Sequence, residues 1–279
     1  MDTVQKLPRD YVDYLCHPGL KSNAGTVALQ RYMGVHTGNK ETAALFQALI
    51  SSGIRDTDTM QSARDVMPAN EWAIMEKGQG NHYYFVRLWN WMWDNQEQMR
   101  DGKNRYLREN IYNEYFRDRE ATGCNPFRLM VRDHYFGIEC IGFVSNYLRY
   151  AGVWKSYLGV NNHHWKLHFQ IGVNDLDDVS PVDLLEWVDA GHIALVDASY
   201  GATNGKLVLD ISQCSGYPKG GAHASFNGPM KNENVSLTDI GETDEGGQAV
   251  FRIGGDTPVP GKVQVRRMRG LVYAGSWQP

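Results

Sequence analysis

Four cysteines in 279 residues, at positions 16, 124, 140 and 214, form no Cys-x-x-Cys pair. That spacing excludes a zinc ribbon and a thioredoxin-like motif. The N-terminus, Met1-Asp2-Thr3-Val4-Gln5-Lys6-Leu7-Pro8, lacks a basic start followed by an apolar core, so no secretory signal peptide is expected. No window approaches the roughly 18 consecutive apolar residues of a membrane span. The chain is therefore expected to be soluble and made in the cytosol, with any export left to a dedicated secretion machine or a phage. A disulfide framework is not expected in so long a chain without a signal peptide. The net charge is −4 and dense basic runs are missing. The nearest, Val265-Arg266-Arg267-Met268-Arg269, reads as a solvated strand face, and a nucleic-acid partner is not expected.

What the chain does have is apolar and aromatic material: 42% hydrophobic residues, with 8 Trp, 15 Tyr and 9 Phe. That suffices for a packed core and argues against disorder. Residues 1–124 read as a helical N-terminal region. Apolar residues recur at helical spacing in Thr26 to Met33 and in Lys40 to Ser51. Asn70 could cap a helix through Met75, and Tyr83 to Tyr115 reads as amphipathic helix broken near Asp101-Gly102. Trp89, Trp91 and Trp93 could stack on sugars, but large aromatic side chains more often fill cores. Residues 125–279 change texture. Glu139 to Tyr150 reads as a helix. Strand-like runs follow at 183–187, 192–196, 207–211, 249–253 and 263–268, separated by Gly, Asp and Asn turns. The Gly-, Asn- and Ser-rich stretch 215–247 reads as a long functional or mobile loop.

The chemistry concentrates in three segments. In Gly137-Ile138-Glu139-Cys140-Ile141-Gly142-Phe143-Val144, a cysteine opens an apolar helix. A helix N-terminus favours a thiolate and offers N–H groups for an oxyanion. The ordinary alternative is a buried core cysteine. His192 opens a strand after the Asp189-Ala190-Gly191 turn and is placed to act as base; otherwise it is a satisfied strand-end histidine. Asp210, on the next strand, could orient His192. Its rival as third catalytic residue is His223 in the loop Gly220-Gly221-Ala222-His223, which could instead cover the substrate. Tyr135 and Glu139 are candidates to line the site. His164 and His168 are four apart, which suits two ligands on one helical face, but no third ligand follows, so no metal is expected.

Glu139-Cys140-Ile141-Gly142-Phe143-Val144 resembles the nucleophile motif of the NlpC-type peptidases, Asp-Cys-Ser-Gly-Phe-Val. Pro181-Val182-Asp183-Leu184 resembles their Pro-Gly-Asp-Leu strand, and Gly191-His192-Ile193-Ala194-Leu195 their His-Val-Gly-Ile-Tyr strand. Leu207 to Ser212 falls where their third polar residue stands. The CHAP amidases have a similar layout. Here Glu139 replaces Asp, Ile141 replaces Ser and Val182 stands where Gly is usual. The resemblance covers about residues 125–272 and implies an α+β, papain-like domain with the Cys140 helix packed on an antiparallel sheet. It implies a Cys140–His192–Asp210 hydrolase without a cofactor, cutting peptide amides of the bacterial wall as an effector or lysin, with a cognate inhibitor or immunity protein as a further partner. A toxin that deamidates or acylates a protein through the same residues is a second expectation. A non-enzymatic binding module on a decayed peptidase fold is a third.

Overall fold

The computed structural model describes residues 2–16, 20–21, 40–76, 78, 80–117, 126–132, 135, 138–153, 168–214, 229–257 and 259–273. The chain divides into two compact units, Tyr14–Gly142 and Met1–Asp13 with Phe143–Pro279.

The Tyr14–Gly142 unit is helical among its described residues. Helix α1 (Pro8–Cys16) spans the division at Asp13 and Tyr14, and α2 (Lys40–Ser51), α3 (Ala63–Val66), α4 (Ala69–Met75), α5 (His82–Asp94) and α6 (Gln96–Asp101) follow in the chain. A ten-residue π-helical segment, Leu107–Phe116, and α7 (Pro126–Arg132) lead to α8 (Cys140–Tyr150). Asn81 caps α5 by accepting from the Tyr83 N–H at 3.0 Å, which satisfies one of the orphan donors of a helix start. Trp89 and Trp91 of α5 belong to the core, and Trp93 is half-buried. Trp89 is fully buried, stacked on Phe116 at 5.3 Å and met edge-on by Phe127 at 5.2 Å. Trp91 is buried and donates through its indole to the Gln61 carbonyl at 2.9 Å. With these faces covered, a sugar-stacking platform on Trp89 and Trp91 is ruled out.

In the other unit, short strands β1 (Asp2–Val4) and β9 (Leu271–Tyr273) pair in parallel. The main sheet comprises β2 (Phe169–Val173), β3 (Leu184–Trp187), β4 (Ile193–Thr203), β5 (Lys206–Cys214), β6 (Pro229–Thr243), β7 (Ala249–Gly255) and β8 (Gly261–Met268). Its order is β2-β8-β3-β4-β5-β6-β7, every pair is antiparallel, and β7 also pairs with β8 through Phe251↔Val263 and Ile253↔Gly261. Strands β3 to β8 therefore close into a six-stranded barrel, with β2 added at β8.

This corrects the expected papain-like α+β fold, a Cys-bearing helix packed on an open antiparallel sheet. The closing strand is β6, in the stretch read as a long loop. Its Val235-Ser236-Leu237-Thr238 alternation points Val235 and Leu237 into the barrel among Leu209, Ile211 and Ile253, but polar and glycine residues on both sides hide so short a pattern. Without β6, no partner bridges β5 to β7 and the sheet stays open. The interior is filled by side chains, including Val173, Leu185, Ala194, Val196, Leu207, Phe251, Val263 and Val265, as a barrel of this size requires. Register shifts within β4–β5, β5–β6 and β6–β7 bend the long strands around it.

The first turns of α1 stand on the outer face of β4–β5. The Arg9 backbone N–H donates to Asp197 Oδ1 at 2.7 Å, and Arg9 Nη2 to Asp210 Oδ2 at 2.8 Å. Tyr11 meets Phe143 and Tyr150 of α8 at 5.5 and 5.3 Å between rings. No described helix is long and apolar enough to cross a membrane.

Candidate functional site

His192 immediately precedes β4, at one end of the barrel. The β3–β4 hairpin fixes its backbone: the Trp187 N–H donates to the His192 carbonyl at 2.9 Å, and Gly191 takes a left-handed φ of +58° in the turn. Its side chain is 4% exposed and lies on the inward face with Ala194. Trp187 meets the ring edge-on at 4.8 Å, itself anchored by an indole hydrogen bond to the Val259 carbonyl at 2.8 Å. His192 Nε2 is 2.6 Å from Gln213 Oε1, and Gln213 Nε2 donates to Asn232 Oδ1 at 2.7 Å. An amide that donates through its nitrogen to Asn232 presents its oxygen to the ring. With the two amides in this sense the proton between His192 and Gln213 sits on Nε2, and Nδ1 is the basic nitrogen of the neutral ring. Burial holds the His192 pKa below its ordinary value, with the Gln213 bond opposing that shift. The ring is neutral at physiological pH, the state a base requires.

Asp210 does not reach His192. It pairs across the hairpin with Ala198, well along β4 from His192, whereas Gln213 pairs with Ala194. Asp210 Oδ2 accepts from Arg9 at 2.8 Å and from the Tyr200 hydroxyl at 2.5 Å, and Oδ1 from the Asn234 N–H at 3.2 Å. The orienting partner expected at Asp210 is supplied by Gln213. The physical reason is register: β4 and β5 join through Asn204-Gly205, with φ of +53° and +71°, a tight two-residue turn of the Asn-Gly type. Counting back from that turn sets Asp210 far from the His192 end. Counting from Asn-Gly excludes Asp210 but does not find Gln213, because the register shifts between Val196 and Ala198 and between Ser199 and Ala202 carry Gln213 from Val196 to Ala194. Asn232 lies on β6, whose sequence carries no clear strand signal.

Asp197 belongs to the same outer cluster as Asp210. It is fully buried and accepts from the Arg9 N–H and, at 2.6 Å, from the Ser212 hydroxyl. Burial pushes its pKa up to about 6, against the lowering effect of Ser212 and Arg9.

Cys140 is the first residue of α8 and is half-buried. Neither it nor buried Cys214 is in a disulfide. The segment before it is tied down within the Tyr14–Gly142 unit: the Glu139 N–H donates to the Gly78 carbonyl at 2.7 Å. Glu139 is half-buried. Tyr135 is buried, its hydroxyl 3.2 Å from the Tyr106 hydroxyl and its carbonyl accepting from Thr42 Oγ1 at 2.8 Å. Burial raises its pKa; its hydroxyl is engaged by Tyr106 rather than presented alone. His223, His163 and His164 lie outside the described residues. Among the described residues, no group of three His, Cys, Asp or Glu could hold a metal ion. Compared with protein-family models, with curated proteins and with solved structures, the chain matches none.

Proposed function

We propose that this chain is a cysteine-dependent amide hydrolase in which Cys140 is the nucleophile and His192 its base. The observation that carries the reading is the buried His192 ring, held neutral by burial, with its Nε2 2.6 Å from Gln213 Oε1. A thiol transferring its proton to Nδ1 becomes the thiolate that attacks. The pairing of these two residues rests on their order and type in the sequence, and the position of Cys140 at the start of an eleven-residue helix supports its part.

In the proposed cycle, the Cys140 thiolate adds to the amide carbonyl carbon. Collapse of the tetrahedral adduct breaks the C–N bond, and the His192 imidazolium gives its proton to the leaving amine. Water, deprotonated by the same imidazole, then cleaves the thioester and restores the thiol. Gln213 takes the orienting role in place of Asp210. The substrate class follows the motif resemblance: a peptide amide of bacterial peptidoglycan.

Two measurements test the reading. Purified peptidoglycan is digested with wild type and with Cys140→Ala, and the products are resolved by mass spectrometry. New peptide fragments from wild type alone are expected; none from either refutes the wall substrate. Site-resolved alkylation of Cys140 by iodoacetamide at pH 7 tests the pairing without a substrate. His192→Ala is expected to slow it at least about tenfold, and an unchanged rate sinks the assignment of His192 as its base.

A further inference from the structure

We propose that Asn232 is a positioning residue that locks the amide of Gln213 and thereby selects which nitrogen of His192 carries the proton. A primary amide presents an oxygen on one side and an NH₂ on the other, and nothing in its shape prevents rotation by half a turn. With the oxygen toward His192, the ring is fixed with hydrogen on Nε2. With the NH₂ toward His192, Nε2 becomes an acceptor, the hydrogen moves to Nδ1, and the ring loses its basic nitrogen on the Nδ1 side. Gln213 alone cannot choose between these states.

In the structure the sense of the pair is set by Asn232 facing Gln213 with its oxygen rather than its NH₂. Asn232 Oδ1 accepts from Gln213 Nε2 at 2.7 Å, which turns Gln213 Oε1 onto the ring at 2.6 Å. All three side chains are buried: His192 is 4% exposed, Gln213 0% and Asn232 7%. In so dry a setting, turning Gln213 against Asn232 would bring two oxygens together and leave buried polar groups unpaired, so the lock resists reversal of Gln213 alone. The backbone is built for it. Asn232 pairs with Ile211 and Met230 with Gln213, next to a register shift between Leu209 and Ile211 and a left-handed Asn234 at φ +57°. Gln213 and Asn232 come from the adjacent strands β5 and β6, His192 immediately precedes β4, and the hydrogen-bond chain runs from His192 through Gln213 to Asn232.

The catalytic consequence rests on the proposed role of His192 as base; the tautomer does not, and it is read without turnover. Long-range ¹H–¹⁵N correlation of the imidazoles is recorded on the full chain above pH 7, with His192→Gln identifying the His192 signals. Wild type is expected to show the Nε2–H form alone. Asn232→Asp, an acceptor on both oxygens, is expected to keep it. Asn232→Ala and Asn232→Leu remove the acceptor and are expected to lose the single form and populate both tautomers. A single Nε2–H form in a folded Ala or Leu variant overturns the lock. If neither truncation folds, Asn232→Asp decides: loss of the Nε2–H form there overturns it as well. Cys140 alkylation on the same samples separates the two claims. With equal tautomers, the competent fraction is halved and the rate falls about twofold. Mixed tautomers at an undiminished rate uphold the lock and count against His192 as the base.

Discussion

Val182 has a β-branched side chain on a backbone with φ of +72°, a conformation rarely adopted by anything but glycine or asparagine. The position is held from both sides: the Val182 N–H donates to the Val196 carbonyl at 2.8 Å, and the side chain is buried. It is also the position where the resembled strand motif has Gly. Substitution here should reverse the ordinary order of small residues. Val182→Ala gives up the packing and keeps a Cβ in the left-handed region. Val182→Gly gives up the same packing but relieves strain of about 1–3 kcal/mol. Val182→Gly is therefore expected to be more stable than Val182→Ala by about 1 kcal/mol in urea denaturation. A glycine variant less stable than the alanine variant would show that the turn imposes no strain.

At the scale of elements, two of the glycines at which the barrel backbone takes positive φ differ in the space around them. Gly205, at φ +71° in the β4–β5 hairpin, has open space where a Cβ would stand. Gly205→Ala should therefore cost only its conformational strain, about 1 kcal/mol. Gly255, at φ +76° at the end of β7, would place a Cβ 2.4 Å from the Asn234 carbonyl oxygen on β6. Gly255→Ala adds that backbone collision and should cost clearly more. Equal losses of Tm would mean that the β6–β7 contact yields easily. The same strands show how far the sequence could be read. Lys40–Ser51, Cys140–Tyr150 and the runs at 184–187, 193–196 and 207–211 have periodicity strong enough to be seen as elements. Strand β6 does not, because only Val235 and Leu237 mark its inward face within a polar stretch. Losing β6 concealed both the closure of the barrel and Asn232. Asp210 is separated from His192 for a different reason: the register from Asn204-Gly205, with its two shifts, sets Asp210 opposite Ala198 and Gln213 opposite Ala194, and one sheet position decides which carboxylate or amide meets a ring.

For the whole molecule, acid and base groups buried in the barrel unit pull stability in opposite directions with pH. Asp197, raised by burial to about 6 from an ordinary 3.8, holds a proton in the folded state that the unfolded chain has released. Its contribution is full below about pH 4, is lost as pH rises toward 6, and is constant above that. Asp183 on the same unit is raised too, by burial that outweighs its pairing with Arg267 at 2.7 Å, and acts with the same sign. His192, lowered by burial from an ordinary 6.5, acts oppositely: its contribution is present above pH 6.5 and is lost as pH falls through its folded value. Asp197→Asn removes the first of these effects while retaining a group that can face both the Arg9 N–H and the Ser212 hydroxyl. Its stability relative to wild type should therefore rise by about 1–3 kcal/mol between pH 4 and pH 7, following the two-unit displacement at 1.36 kcal/mol per unit with allowance for relaxation of the site. Any fixed packing cost of the asparagine is the same at both pH values and cancels in the difference. Urea midpoints of the two proteins at pH 4 and pH 7 make the measurement, and a difference that does not change with pH would mean that Asp197 is already ionised throughout that range in the folded chain.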